Sequence, residues 1–382
     1  MTSKERHEVR YQRRAARRRA KREQVCSLYD NYDNVFTISN LYQSYLQSRK
    51  NVGWKDSVQQ YKANAIVNIH NTYKTMQARQ FKSKGFYVFN LFERGKLRTI
   101  RSVSFKERVV QRCLCDYALT PILSRTFIYD NSASLKGKGI NFAIERMTTH
   151  LHRFYRAYGA NGYILQYDFS KYFDTISHDK VREIVYKHIK DPDLRQLTMS
   201  LVNDFGDIGL GLGSQVSQIL SLAVASDIDH AMKEKHRAKF YGRYMDDGYI
   251  ISHDKQFLKE CYNTLESMCA EAGITLNTKK THIVPISRGF TFLKIKFSLT
   301  ASGKVVRRLS HDSSVRMRRK LKKLRKKVND GKMEVRDVAC SMQSWVGHTL
   351  NIDAYRTRQR MLRLFYSLYN DDLKGSKICI KY

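Results

Sequence analysis

The stretch KFYGRYMDDGYIISHD (239–254) sets two adjacent acidic residues, Asp246 and Asp247, between two short runs that alternate aromatic or apolar residues with others. Alternation with a period of two marks a half-buried strand, and Asp-Gly between two such runs signals a hairpin because both residues tolerate positive φ. A chain carrying this segment is expected to build a sheet with a hairpin over 239–252, its two carboxylates at the turn. Two readings stay open from these residues alone. The aspartates either make the turn or hold a cation there.

The flanking pattern extends the sheet. Residues 163–169 (YILQYDF) read as a buried strand. In SHDKVREIVYKHI, Val181, Ile184, Val185 and His188 recur at helical spacing, with Ser177 as N-cap. Residues 215–235 form a second helical stretch. After the hairpin, DKQFLKECYNTLESMCAEAG places Phe257, Cys261, Leu265, Met268 and Ala272 on one helix face, opened by Asp254 and stopped by Gly273. Strands are expected at 275–277, 282–286 and 290–299. In the last, Phe290 and Phe292 sit in one alternation phase and Leu293, Ile295, Phe297 and Leu299 in the other, a slip that predicts a bulge. The order strand–helix–helix–hairpin–helix–strand is an α+β fold, an antiparallel sheet with helices on one face.

Charge narrows the partners. The 382 residues include 70 Lys and Arg against 35 Asp and Glu, a formal net charge of +35, so a polyanion is expected and nucleic acid leads. This length and 42% apolar content suit two or three subdomains, and no linker-like stretch divides them. No apolar run reaches spanning length and no apolar stretch follows the basic N-terminus, so neither membrane nor secretory signal is expected. Seven cysteines (26, 113, 115, 261, 269, 340 and 379) form no C-x-x-C pair, which argues against zinc and suits a reducing, cytoplasmic setting.

About half of the surplus lies in two segments. Residues 1–25 carry ten basic and three acidic side chains and too few apolar ones to pack, so this extension is expected to be disordered until it meets RNA or DNA. Residues 304–332 carry thirteen basic and two acidic. Within them Met317, Leu321, Leu324 and Val328 form a helical stripe, with Ser313 or Ser314 as cap and Gly331 past the end. Arg316, Arg318, Arg319, Lys322, Lys323 and Lys326 occupy the rest of that surface. It is either a solvated face or a grip on phosphates, and only phosphate contacts convert the mutual repulsion into a gain.

Asp168 ends the first strand. If that strand neighbours the hairpin, Asp168 and Asp246 meet at one sheet edge, where two carboxylates repel unless a cation lies between them. Oxygen ligands favour Mg²⁺, and two such ions in a basic protein suit in-line phosphoryl transfer.

The sequence QYDFSKYFD (166–174), followed by YMDD (244–247), resembles motifs A and C of reverse transcriptases. GKLRTIRSVSFKERVVQRCL (95–114) is similar to the fingers segment of prokaryotic, retron-type and group II intron-type members, and SASLKGKGINFAIERM (132–147) to the motif after it. GITLNTKKT (273–281) resembles motif D and GFTFLKIKF (289–297) the primer grip, although its Lys294 departs from the pattern. The resemblance spans roughly residues 35–300. It implies a right-hand polymerase fold: a basic extension over 1–25, fingers over 26–160, palm over 161–300 and a basic helical thumb over 301–382. It also implies an RNA-directed DNA polymerase acting on an RNA template, a DNA or RNA primer and dNTPs.

Carried over residue by residue, the resemblance makes Asp168, Asp246 and Asp247 catalytic. Asp168 and Asp246 would bind two Mg²⁺ ions, with Asp247 beside them and the Phe169 carbonyl as a further ligand. Phe173 matches the aromatic gate against a ribose 2′-hydroxyl, and reads equally as a core aromatic. Lys96 and Arg98, two apart on one strand face, match the cations that hold the triphosphate. Lys280 matches a lysine near the departing pyrophosphate. Motif B usually reads G-L-P-Q-G-x-x-x-S-P, whereas this chain has GLGLGSQVSQ (209–218). Leu212 in place of Gln resembles the enzymes of diversity-generating retroelements, which miscopy adenines and work with a small accessory protein. An apolar side chain there removes a polar contact beside the nascent base pair, so low fidelity is expected.

Other readings stay open: a stand-alone antiviral-defence reverse transcriptase, a template-independent polymerase on the same fold, or a non-catalytic RNA-binding scaffold. The last leaves Asp168, Asp246 and Phe173 without a role. About eighty residues follow the primer grip, room for one thumb and no nuclease domain, so the primer is expected to come from elsewhere.

Overall fold

A computed structural model describes residues 2–93 and 95–373. Its ten strands are β1 (Tyr87–Glu93), β2 (Lys96–Ser102), β3 (Tyr163–Ser170), β4 (Phe240–Tyr244), β5 (Asp247–Ser252), β6 (Thr275–Leu276), β7 (His282–Pro285), β8 (Phe290–Phe292), β9 (Ile295–Leu299) and β10 (Val305–Leu309). The strands are embedded in a largely helical chain, and the α+β class read from the sequence holds. The central sheet runs β4-β5-β3-β6, with β7 also paired to β3. The hairpin read at 239–252 is β4–β5, and it neighbours the strand that carries Asp168. Residues 163–169 are nearly all covered, as a central strand must be.

Two compact units divide the chain: the first runs up to Ala143 and continues through Tyr167–Gly248 and Glu260–Thr281, and the second holds Ile144–Gln166, Tyr249–Lys259 and the chain from His282 onward. In the second, β10-β9-β8 form an antiparallel sheet. Helices His311–Asn329, Val335–Thr349 and Tyr355–Leu373 bury Met317, Leu321, Leu324, Val338, Met342, Val346, Met361, Phe365 and Tyr369 together. The stripe read at 317–328 is the face that packs, and Gly331 follows the end at φ +67°. Helix His178–His188 begins at Ser177, whose side chain accepts from the Asp179 N–H. Helix Lys255–Glu271 buries Cys261 and Leu265 as expected, with Ala272 just beyond its end, but Leu258 and Cys269 are buried where Phe257 and Met268 were expected, and those two are only half-buried.

Four expectations need correction. Residues 1–25 are not disordered, because helix Ser3–Tyr29 runs through them with almost no buried surface. Local terms suffice here: Thr2 and Glu5 close a capping box, Arg19 pairs with Glu23 one turn on, and Arg, Ala, Lys, Glu and Gln are strong helix formers. The slip near 293 is not a bulge. Leu293 and Lys294, both with positive φ (47° and 68°), form a two-residue turn between β8 and β9, and the phase changes because the chain reverses. The stretch 215–235 is not one helix but Gln215–Val224, Ser226–His230 and a π-turn over Ala231–Lys235. The basic helix starts at Ser310, three residues before the earlier of the two expected caps. β10 was not foreseen at all. Its VVRRL pairs with β9 inside the basic segment.

Among the described residues no helix is long and apolar enough to cross a membrane. The described cysteines are free thiols, with Cys113 and Cys115 buried as expected, and Cys379 lies outside the described residues.

The bundle makes a clear stability prediction. Leu321 is fully buried, so Leu321→Ala is expected to cost about 2–5 kcal/mol in denaturant unfolding. Lys322→Ala and Lys323→Ala, on the exposed side of the same turn, should each stay within about 0.5 kcal/mol.

Candidate active site

β3 delivers Asp168 to the sheet edge with its side chain 7% exposed. The Phe169 N–H donates to the Asp246 carbonyl at 3.1 Å, which brings the β4–β5 turn against the end of β3. Asp168, Asp246 and Asp247 are thereby gathered as the sequence reading required. Phe169 itself is 1% exposed.

The turn is built differently from an Asp-Gly turn. Its two residues are Met245 and Asp246, and the positive φ (54°) falls on Met245. Gly248 lies in β5, where a Cβ would sit 2.1 Å from the Tyr167 ring; its bareness serves close packing. A methionine tolerates that backbone poorly, so something must hold it. Arg243, fully buried, donates from Nη1 to the Met245 carbonyl at 2.8 Å. Its Nε and Nη2 grip the equally buried Asp229 at 2.7 and 2.6 Å. Tyr241 donates to Asp229 at 2.5 Å and its oxygen shares a 2.7 Å hydrogen bond with that of Tyr167. Burial alone would favour the neutral guanidine, but the Asp229 carboxylate outweighs it and raises the Arg243 pKa. Arg243, Asp229 and Tyr241 escaped the sequence reading. An arginine inside a strand of otherwise apolar and aromatic residues was the available signal.

Asp168 is matched by two donors from the segment after β6. Lys280 Nζ lies 2.6 Å from its Oδ2, and Asn277 Nδ2 donates to Oδ1 at 3.0 Å. Lys280 is thus at the carboxylates, and Asn277 is a further contact that the sequence reading passed over. Burial is the first cause that drives the Asp247 carboxyl up to about 7, with the charges of Asp246 and Asp168 and a hydrogen bond to Asp168 adding to it. Burial also raises Asp246, joined by Asp168 and opposed by the charges of Lys280 and Arg98. Burial pulls Lys280 down, but its bond to Asp168 and the charges of Asp168, Asp247 and Asp246 together hold it above its usual range.

Arg98, in β2, therefore acts electrostatically on Asp246. The backbone of Lys96 pairs with Glu93, and its side chain lies outside what is described. Phe173 is half-buried, stands edge-on to Tyr172 and accepts from the Leu210 N–H through its carbonyl at 2.5 Å. Leu212 is half-exposed, its carbonyl taking the Arg101 N–H at 3.2 Å. Arg316, Arg318, Arg319, Lys322, Lys323 and Lys326 all face solvent in the second unit, whereas Arg325 is drawn to Asp372 and Lys320 to Ser341.

Among the described residues no group of three or more His, Cys, Asp or Glu side chains is placed to hold a metal ion as it stands. The donor set nevertheless fits Mg²⁺, which takes one or two protein carboxylates and leaves its other positions to water and phosphate. Three crowded carboxylates, two of which (Asp246 and Asp247) hold protons more tightly than usual, are what a divalent ion would relieve.

Burial of Asp247, added to by that crowding, predicts a mutant more stable than the parent. In chelator, Asp247→Asn should gain on the order of 1 kcal/mol in thermal unfolding at pH 8. Ionising Asp247 is costly only in the folded state, so the parent loses stability as pH rises from about 4 to about 7, between its unfolded and folded pKa values. The gain should be full above pH 7 and vanish near pH 4.

Residues 73–297 match the family model described as reverse transcriptase (RNA-dependent DNA polymerase), a family whose chemistry uses divalent metal ions. Protein YkfC of Escherichia coli strain K12 is 23% identical over 245 residues, covering 52% of this chain and 62% of that protein. Telomerase from Candida albicans, solved in complex with a TWJ fragment of telomeric RNA, aligns over 83% of this chain and 61% of its own, with TM-score 0.50 and 11% identity. Apo telomerase from Candida tropicalis, truncated from its C-terminal domain, aligns over 64% and 60% with TM-score 0.46 and 14% identity. This chain thus spans about three-fifths of the length of these relatives. The Candida albicans likeness shows a shared fold, the right hand of polymerases. Since the family match takes in well over half of the chain, and the strands it covers bring Asp168 to Asp246 and Asp247, this protein belongs to the reverse transcriptase family.

Proposed function

We propose that the protein is an RNA-directed DNA polymerase that extends a DNA or RNA primer on an RNA template with dNTPs. The observation that carries this is the meeting of Asp168 with Asp246 and Asp247 at one sheet edge, under Lys280 and within the field of Arg98. Two Mg²⁺ ions bound there would activate the primer hydroxyl and neutralise the departing pyrophosphate. Asp168, Asp246 and Asp247 supply the anionic oxygens, with the Phe169 carbonyl as a further donor. Lys280 and Arg98 hold the triphosphate by charge, and Lys96 joins them from the same strand. With the ions bound, Asp168 would be neutralised by them and Lys280 would be released to hold phosphate oxygens.

The domain roles follow the same reading: fingers over 26–160, palm over 161–300 and thumb over 301–382, with the N-terminal helix as a basic extension. Arg316, Arg318, Arg319, Lys322, Lys323 and Lys326 grip phosphates of the template–primer duplex. Phe173 stands as the gate against a 2′-hydroxyl. A non-catalytic scaffold would have no use for three carboxylates held together at the cost of like-charge repulsion.

Leu212 favours a finer reading. With no polar group beside the nascent pair, the enzyme discriminates weakly, as in diversity-generating retroelements, where an accessory protein would join it.

Primer extension with Mg²⁺ tests the main reading. RNA-templated incorporation is expected, and Asp246→Asn should lower it roughly a thousandfold or more with template binding intact. Incorporation that needs no template, or an Asp246→Asn variant of full activity, would contradict it. Sequencing copies of an adenine-rich template tests the finer one: Leu212→Gln should reduce errors, and an unchanged error spectrum would sink it.

A further inference from the structure

Glycine alternates with leucine in Gly209-Leu210-Gly211-Leu212-Gly213, and each glycine answers to a different neighbour. Gly209 (φ +89°) lies where a Cβ would be 2.8 Å from the Asp174 carbonyl oxygen, and Gly213 (φ +110°) where it would be 3.1 Å from that of Arg101. Gly211 has no unusual φ, yet a Cβ there would fall 2.1 Å from Cε1 and 2.4 Å from Cδ1 of Phe205. One aromatic ring therefore occupies the space that any side chain at position 211 would need.

That ring is not free to swing aside. It is 6% exposed and stacks on Phe86 with centroids 4.6 Å apart and planes 19° from parallel. Arg101 ties the two ends of the arrangement together: its Nη1 donates to the Phe205 carbonyl at 2.8 Å and its backbone N–H to the Leu212 carbonyl at 3.2 Å. On the other side, the Gly209 N–H donates to Ile176 and the Leu210 N–H to Phe173. A loop of three glycines would otherwise be the most mobile kind of segment. Here it is pressed between Asp174, Arg101 and an aromatic floor.

We infer that Phe205 is a positioning residue for nucleotide selection. Its ring, backed by Phe86, seats the Gly211 backbone and so sets where the half-exposed Leu212 side chain stands beside the incoming nucleotide. The inference rests on the reading of Leu212 given above. Removing the ring opens a cavity under a backbone with no side chain of its own, and the loop relaxes into it. A displacement near 1 Å in such a loop misplaces the selecting side chain while the carboxylates stay where β3 and β5 hold them.

The test is single-nucleotide incorporation by the full chain on a defined RNA template, comparing the parent with Phe205→Ala, Phe205→Leu, Gly211→Ala and the pair Phe205→Ala/Gly211→Ala. Phe205→Ala is expected to raise KM for the correct nucleotide roughly tenfold with kcat little changed, and to shift the ratio of wrong to right insertion. Gly211→Ala alone should also raise KM, because its Cβ collides with the ring. In the pair the two defects should partly cancel, a coupling that a general loss of stability does not produce. If Phe205→Ala does not fold, Phe205→Leu keeps most of the volume without the stacked ring and gives the same readout. Folded variants whose KM, insertion ratio and coupling match the parent overturn the inference. A parent that incorporates nothing overturns the polymerase reading, which is a separate and distinguishable failure.

Discussion

Like-charge repulsion among Asp168, Asp246 and Asp247 is the constraint around which this molecule is arranged. Left to themselves three partly buried carboxylates would separate or take up protons, and Asp246 and Asp247 do hold theirs more tightly than usual. They stay together because backbone pairing holds them: β3 beside β5, with the Phe169 N–H on the Asp246 carbonyl. Beneath the turn, Arg243 and Asp229 form a fully buried ion pair that also restrains the Met245 carbonyl. Breaking such a pair from one side leaves an uncompensated charge, which typically costs about 3–5 kcal/mol. The repulsion at the surface is thus offset by a strong anchor below it, and Lys280 supplies the nearest neutralising charge.

Much of this was legible in the residues. The alternation around YMDD and through YILQYDF gave both strands, and carboxylates at the ends of neighbouring strands must meet. What could not be read was imposed by tertiary contacts. The positive φ went to Met245 because Arg243 holds its carbonyl, and Gly248 is a glycine because Tyr167 lies against it. Leu293-Lys294 carries none of the usual turn residues, so a reversal there looked like a bulge. The N-terminal helix was missed for the opposite reason. It has no apolar stripe to announce it, and capping, propensity and a paired Arg19–Glu23 support it along its exposed length.

The positive charge of the chain is likewise sorted by geometry. In helix His311–Asn329, Met317, Leu321 and Leu324 turn into the bundle, and Arg325 and Lys320 are spent on Asp372 and Ser341. The cations left on the outer surface repel one another without an anion. At the other end of the chemistry, three glycines let one loop approach Asp174, Phe205 and Arg101 closely. The glycine at position 211 is therefore a matter of packing, since the Phe205 ring leaves no room for a Cβ there.

A crystal structure with Mn²⁺ and a non-hydrolysable nucleotide would test the central claim most directly, since manganese scatters anomalously and accepts the same oxygen ligands as magnesium. Anomalous peaks in direct contact with both Asp168 and Asp246, with Lys280 moved off Asp168 toward phosphate, are the predicted result. Manganese bound elsewhere, with Asp168 still paired to Lys280 and facing away from Asp246, would contradict the account.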